Sequence, residues 1–337
     1  PNSRVGPGTL VLIDEAGMTG TRDLAEVARQ VVDAGGSVRL VGDDQQLAAV
    51  AAGGIFRDLA EQGHAHGTTA ALTELHRFTD PAEGAATLGI REGDPAALEH
   101  YLDRGRVHAG ETGDVVEAAY AAWVADQRAG LPSLLLAATR DTVRELNQRA
   151  RADRLDATGQ PPARQVALSD GTRASAGDTV ITRCNDRSLR GRDGSWVKNG
   201  DRWHVLDVHP DGSLSVERHR DGRGSKPAHV TLPTTYVSEY VQLGYASTIH
   251  GAQGATVDTT HTVLTGSESR QALYVALSRG RQTNHLYLGS PPASLDGVAP
   301  EVQDTLVEPR GRCSPTSSPA TAAPCPPRLW SAATPLS

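Results

Sequence analysis

The stretch Thr9-Leu10-Val11-Leu12-Ile13-Asp14-Glu15-Ala16-Gly17-Met18 decides how the chain is read. A short, unbroken apolar run ends abruptly in two acids. Such a run reads as a buried parallel strand with Asp14 and Glu15 at its carboxyl end. Residues 21–34 follow with helical spacing, and Gly35-Gly36 closes them as a C-cap signal. Residues 37–42 (Ser-Val-Arg-Leu-Val-Gly) read as the next strand. Strand, helix and strand at this spacing form a βαβ unit, which implies an open parallel sheet. Ligands of such sheets sit beyond the carboxyl ends of the strands, where Asp14, Glu15, Asp43 and Gln46 all fall.

Further along, the same grammar returns. Residues 114–129 are expected as an amphipathic helix, 133–138 as a strand and 141–153 as a helix. Between about 165 and 238 the texture changes to short alternating stretches at 178–182, 203–208, 213–216 and 230–232. Asn-Gly, Asp-Gly and Gly-Asp turn signals separate them, as in a small β-barrel or meander. Strands near 259–264 and 285–288 restore the α/β pattern, so the β module reads as an insertion. Beyond about 291 the chain is rich in Pro, Ser and Ala and is expected to be a disordered tail.

Composition narrows the function. The net charge of the 337 residues is −7, which excludes a whole-protein basic attraction for nucleic acid and leaves only a local patch. Three scattered cysteines make neither a disulfide framework nor a zinc site, and a reducing, cytoplasmic setting is expected. No apolar run approaches a membrane span. The start, Pro-Asn-Ser-Arg-Val-Gly-Pro-Gly, has no initiator Met and no signal-peptide core, which suggests a fragment or a processed chain. Only two of the 33 basic residues are lysines, Lys198 in Val-Lys-Asn-Gly and Lys226 in Ser-Lys-Pro. A phosphate-cradling P-loop needs Gly-Lys-Ser/Thr, so this chain has no Walker A loop.

Five segments carry chemistry. At the end of the first strand, Asp14 is placed to hold Mg²⁺ through water, and Glu15 to take a proton from an attacking water. In Gly42-Asp43-Asp44-Gln45-Gln46-Leu47, the neutral Gln46 amide can accept from a water and donate to a phosphate without changing charge. Arg77, in Leu72-Thr73-Glu74-Leu75-His76-Arg77-Phe78, offers an always-charged phosphate clamp. The segment Tyr245–Asp258 gathers hydroxyls, His250, Gln253 and two glycines, groups suited to phosphate-backbone contacts. In Leu273–Arg281, Tyr274, Leu277 and Ser278 can share a helical face, and Arg279 follows as a second phosphate-reading arginine.

In this order and these settings, the segments resemble motifs II to VI of superfamily 1 DNA helicases over about residues 9–290. They are most similar to the 5′→3′ group of RecD-like helicases and the helicase half of TraI/TrwC-type (MobF) conjugative relaxases. Gly-Asp-Asp-x-Gln-Leu at 42–47 and His-x-Ala-Gln-Gly-x-Thr at 250–256 lean toward the relaxases. The resemblance implies an α/β fold with two RecA-like parallel-sheet domains and an inserted SH3-like barrel. Residues 1–71 would be an incomplete domain 1A, 72–165 with 239–290 domain 2A, and 166–238 the 2B insert. It implies ATP and Mg²⁺ as cofactors, with Asp14 on the metal and Glu15, Gln46, Arg77, Gly254 and Arg279 on the nucleotide. Glu15, Gln46, Arg77 and Arg279 would be catalytic. The implied partners are single-stranded DNA, an upstream segment with the Walker A loop and a nicking domain, and the conjugative transfer machinery. No membrane partner is implied. The 12 histidines are dispersed and do not form the relaxase His cluster.

The strand path would run past Thr139, Thr248, His250, Gln253 and Tyr274. Between 183 and 202, six basic residues face three acids inside an acidic chain, and Trp196 and Trp203 lie among them. Aromatic rings among cations suit single-strand binding, which makes Arg187, Arg190 and Trp196 candidate contacts, with Trp203 more readily a core residue. Two other readings stay open: a RecD-like repair helicase, and a non-catalytic single-strand-binding module.

Overall fold

The computed structural model describes residues 5–47, 54–72, 76–159, 161–191, 193–218 and 228–290. The Pro-rich segment 291–337 and Arg192 of the basic patch lie outside the described residues.

Strands β1 (Leu10–Ile13) and β2 (Ser37–Leu40) pair in parallel, with helix α1 (Thr21–Asp33) as the crossover between them. Register sets Val11 beside Val38 and Ile13 beside Leu40, on a half-buried face. Leu10 and Leu12 point the other way and stay 55% and 64% exposed. The sequence reading of this run as a strand buried on both faces therefore holds for one face only. Helix α2 (Ile55–Ala65) follows.

A larger sheet forms the centre of the rest. Helices α3 (Pro81–Glu92) and α4 (Glu99–Asp103) lead into β3 (Val107–Glu111), α5 (Thr112–Arg128), β4 (Ser133–Ala137) and α6 (Arg140–Thr158). Helix α3 starts where it does because Asp80 caps it, accepting from Ala82 N at 2.9 Å, with Pro81 in the first turn. Thr139 caps α6 in the same way through Thr142 N. That helix reaches Thr158, past the 141–153 read from sequence.

The chain then makes β5 (Val166–Ala167), β6 (Arg173–Ala174), β7 (Thr179–Thr182), β8 (Asp186–Arg190), β9 (Trp196–Val197), β10 (Arg202–Val208), β11 (Leu214–Arg218), β12 (His229–Leu232), α7 (Thr234–Tyr240) and β13 (Val241–Leu243). Five of these strands form an antiparallel sheet in the order β12-β11-β10-β7-β13. Strand β13 pairs with β7, so this sheet extends beyond residue 238. Finally β14 (Ala246–Thr248), β15 (Val257–Leu264), α8 (Arg270–Leu277) and β16 (Gly280–Ser290) complete an all-parallel sheet ordered β14-β4-β15-β16-β3.

Strand β4 shows why this sheet is central. It is buried along its whole length, and its side chains alternate between two layers. Leu134 and Leu136 join Ile90, Tyr101, Tyr274 and Leu277. Leu135 and Ala137 join Trp123, Leu146 and the interior of the antiparallel module, Trp203 included. The module therefore shares a hydrophobic core with the parallel sheet. Trp203 is fully buried, so the indole is a core residue and no stacking platform.

Candidate functional site

The loop after β2 carries the hub of the site. Asp43 Oδ1 accepts from Gln45 N at 3.0 Å and Arg91 Nε at 3.3 Å. Its Oδ2 accepts from Gln46 Nε2 at 3.1 Å and from the Tyr274 hydroxyl at 2.8 Å. Burial works against this carboxylate, yet these four donors and the Arg91 charge hold its pKa below the usual value. Burial, then the Asp43 charge, pushes the Tyr274 phenol upward. Arg91 also pairs with Asp44 at 3.1 Å, and Arg270 Nη2 reaches Gln45 Oε1 at 3.3 Å. One loop is thus tied to both α3 and α8.

Beside the hub lies a cavity of about 340 Å³, lined by Asp43, Gln46, Arg77, Thr87, Tyr274 and Ser278 among others. Gln46 lines it with a buried Oε1 that accepts no hydrogen bond from the described residues. Arg77 donates through Nη1 to the Ser278 carbonyl. Arg279 lies next to Arg77 and is 1% exposed. Its Nε donates to Val275 O at 3.0 Å, Nη1 to Ala255 O at 3.3 Å and Nη2 to Ser278 Oγ at 2.6 Å. No carboxylate pairs with it among the described residues. Burial, with Arg77 beside it, lowers its pKa to about 10, still a cation at neutral pH. All three of its nitrogens are engaged by protein acceptors, so reaching a phosphate requires exchanging them.

Glu15 has φ 50° and ψ 40°, the left-handed region, and among the described residues it alone does so without being glycine. The geometry turns its exposed carboxylate toward the second half of the chain. A Cβ on Gly254, itself at φ +82°, would lie 3.9 Å from Glu15 Oε1. Asp14 is exposed at the strand end, and its Oδ1 accepts from Glu15 N at 2.9 Å. Gln46 and Arg77 thus line one cavity, Arg279 bonds to Ser278 on its wall, and Gly254 lies against Glu15.

The nucleic-acid candidates divide. Thr139 and Thr248 follow from the carboxyl ends of β4 and β14, neighbouring strands in which Thr248 is level with Ala137. His250 is half-buried nearby in sequence, and Gln253 has a buried Oε1 without a partner among the described residues. Tyr274 departs from this group. Its buried hydroxyl needs an acceptor and finds Asp43, so it lines the cleft. Arg187, Arg190 and Trp196 sit on the β8–β9 hairpin, where Arg187 and Lys198 lie 5.5 Å and 5.4 Å from the Trp196 ring centre. No hydrogen bond or ion pair among the described residues joins them to the strand-end group.

Sequence reading missed Asp43 as a hub and Arg91 altogether. Asp43 lay in a quoted motif, but Arg91 stands 48 residues away with no local signal. It also missed Asp178, fully buried, which accepts from Arg151, Arg154, Ser175 and, at 2.6 Å, the Tyr245 hydroxyl. This carboxylate joins the antiparallel module to α6 and to the segment that begins at Tyr245. Three of the dispersed histidines also meet: His261, His285 and His108 stack across β15, β16 and β3. No group of three or more His, Cys, Asp or Glu suited to a metal ion occurs among the described residues, and none of their helices is long and apolar enough to cross a membrane.

Two family descriptions match the chain: an AAA domain over residues 1–112 and a viral superfamily 1 RNA helicase core domain over 191–288. A conjugal transfer protein TraA of Agrobacterium fabrum is 32% identical over 294 residues, covering 86% of this chain and 25% of that protein. The RecBCD subunit RecD of Mycobacterium tuberculosis is 29% identical over 303 residues, covering 82% of this chain and 48% of RecD. The chain belongs with the RecD-like superfamily 1 helicases. It spans about a quarter of the TraA relatives and about half of RecD. The helicase fold extends to solved structures: Pif1 from Candida albicans superposes with a TM-score of 0.53 at 16% identity, over 84% of this chain and 72% of that one. A Bacteroides Pif1 bound to single-stranded DNA gives 0.51 at 17% identity, over 83% of this chain and 70% of that one.

Proposed function

We propose that this chain is the motor portion of an ATP-driven helicase that moves 5′→3′ along single-stranded DNA during conjugative transfer. The observation that carries the reading is the cavity beside the loop after β2, lined by Gln46 and Arg77, with Arg279 bonded to Ser278 on its wall and Gly254 set against Glu15. Similarity to TraA favours conjugation over the RecD-like repair role. The larger parallel sheet and the separate parallel β1–β2 pair support the reading of two RecA-like domains, with the antiparallel module as the SH3-like insert.

The residues fit the γ-phosphate side of a nucleotide site. Gln46 offers an unpartnered acceptor, Arg77 and Arg279 offer positive charge, and Asp14 is an exposed carboxylate suited to Mg²⁺ through water. The lysine that would cradle the β- and γ-phosphates is not in this chain. When bound, Mg-ATP supplies a phosphoanhydride whose cleavage by water drives the cycle. Glu15 accepts the proton of the attacking water at its carboxylate, and Gln46 orients that water. Arg77 and Arg279 stabilise the charge that builds up on the transferring group. The Asp43–Tyr274 bond gives the two sides of the cleft a shared hinge point, so closure on nucleotide changes the grip on the strand.

In a longer chain that carries a P-loop ahead of Pro1, Glu15→Gln is expected to bind ATP and lose steady turnover by at least about a hundredfold. A DNA-stimulated ATPase assay reads this, and turnover near the parent rate overturns the Glu15 role. The Trp196 ring flanked by Arg187 and Lys198 also suits a second reading, a single-strand-binding module without catalysis. In the longer chain, DNA-stimulated turnover supports the motor, and single-strand binding with no turnover supports the module.

A further inference from the structure

Arg183 follows β7 at the seam between the antiparallel module and the parallel sheet. Its Nε donates to Gln242 Oε1 at 2.8 Å, and its backbone N–H to the Tyr240 carbonyl at 2.8 Å. Its remaining guanidinium nitrogens donate to nothing among the described residues, and no carboxylate pairs with it there. Nη1 instead lies against the Thr248–Gly251 turn. A Cβ on Gly251 would come 2.8 Å from Ser247 Oγ, 3.0 Å from Thr248 Oγ1 and 3.6 Å from Arg183 Nη1. That glycine permits the approach. Arg140, the first residue of α6, stands three positions beyond the β4 residue that is level with Thr248. Arg140 is exposed and has no hydrogen bond or ion pair among the described residues. It is close enough for its charge to add to burial in lowering the Arg183 pKa, against a weaker opposing effect of Asp170. Two guanidinium groups beside neighbouring strand ends, within reach of each other's charge and neither paired with an acid among the described residues, are unfavourable, and an anion between them removes the penalty.

We propose that Arg183 and Arg140 together hold one phosphodiester of a single DNA strand at this seam, beside the Thr248–Gly251 turn. The proposal rests on the reading of the chain as a DNA-translocating helicase core. It adds a contact from the inserted module, which places that module on the strand path together with the sheet. A planar guanidinium pair suits the two non-bridging oxygens of one phosphate. The occupant is a nucleic-acid backbone because the seam is continuous with Thr139 and Thr248, at the carboxyl ends of β4 and β14.

The test uses the full 337-residue chain, fluorescent oligo(dT) and a salt titration, with Arg183→Gln, Arg140→Gln and the double variant. Each single variant is expected to bind about tenfold more weakly at roughly 0.1 M salt. The double variant is expected to lower the slope of log K against log salt by about 0.7, the loss of one single-strand phosphate contact. A loss near 1.4 would mean two separate phosphates and overturn the shared clamp. Thermal midpoints should stay level or rise, because removing either arginine relieves repulsion. A fall in the midpoint with an unchanged slope would make Arg183 merely structural. Arg183→Glu should bind more weakly than Arg183→Gln, because Arg140 then has an internal partner. Wild-type binding with unaltered slopes in all variants overturns the clamp alone. No oligo(dT) binding by the wild type overturns both the clamp and the helicase reading. Competition by inorganic pyrophosphate that depends on Arg183, with the oligo(dT) slope unchanged, would assign the pair to a free anion and also overturn the proposal.

Discussion

At the scale of single residues, Glu15 carries a conflict between stability and chemistry. A left-handed backbone costs a residue with a Cβ about 1 kcal/mol, and glycine escapes that cost. The proton-accepting role proposed for Glu15 requires a carboxylate at this position, which accounts for a side chain being kept there against the strain. Glu15→Gly is expected to raise stability by about 1 kcal/mol, while Glu15→Gln, which keeps the Cβ, should leave it unchanged. Thermal unfolding of the two variants beside the parent checks this, and a lower midpoint for Glu15→Gly would show that the backbone there is not strained. Asp14, Glu15 and Gln46 stand out in the sequence as candidates because they lie in short runs next to strand ends. The Asp43–Arg91–Tyr274 cluster was not, because its members stand far apart and meet only when the loop after β2 docks on α3 and α8. Tyr274 was assigned to the strand path for the same reason. Helical spacing gave its neighbours on the helix, but the acceptor for its hydroxyl comes from another segment.

At the scale of elements, the strands and helices with strong periodicity were legible, and short or polar ones were not. Residues 37–42 and 133–138 emerged as β2 and β4 within a residue or two. Strand β3, Val-His-Ala-Gly-Glu, has little apolar signal and earns its place by pairing with β16. Its His108 also completes the histidine stack, which has its own pH consequence. His285 sits between His261 and His108, with Tyr287 alongside, Asp126 reaching His261 from α5, and Arg106 adding positive charge. Burial and the neighbouring histidines pull its pKa down to about 4, against an ordinary value of about 6.5. The unfolded chain therefore binds a proton between pH 6.5 and 4 that the folded chain refuses. The stability contributed by the neutral ring is complete above pH 6.5 and is lost as pH falls toward 4. His261 is lowered as well, by burial, and adds in the same direction. Allowing for the solvent the half-buried ring still meets, His285 should account for about 1–2 kcal/mol of the loss between pH 7 and 4.5. His285→Asn is expected to flatten the thermal midpoint over that interval, and an equally steep acid decline in the variant would assign the loss to carboxylates instead.

At the scale of the whole molecule, the uneven treatment of the two parallel sheets is informative. Parallel sheets are normally covered on both faces. The five-stranded sheet obeys this, with β4 buried throughout. The β1–β2 pair does not, since Leu10 and Leu12 are 55% and 64% exposed and Val41, just past β2, is 47% exposed. An apolar face of this kind is what a RecA-like sheet would present if further strands and helices from a preceding segment belonged against it. The energetic effect of substitution there should therefore depend on chain length. In the 337-residue chain, Leu12→Ser removes a side chain that is mostly in water and should change stability by less than about 0.5 kcal/mol. In a longer chain with the P-loop segment ahead of Pro1, burial of Leu12 makes the same substitution cost about 1.5–3 kcal/mol. Denaturant unfolding of both pairs gives the comparison. Equal small effects in the two lengths would mean that the preceding segment packs elsewhere, and the β1–β2 unit would then need a different route to a nucleotide site. A large effect only in the longer chain would tie the exposed leucines and the residues proposed for the γ-phosphate to one domain that also holds the P-loop.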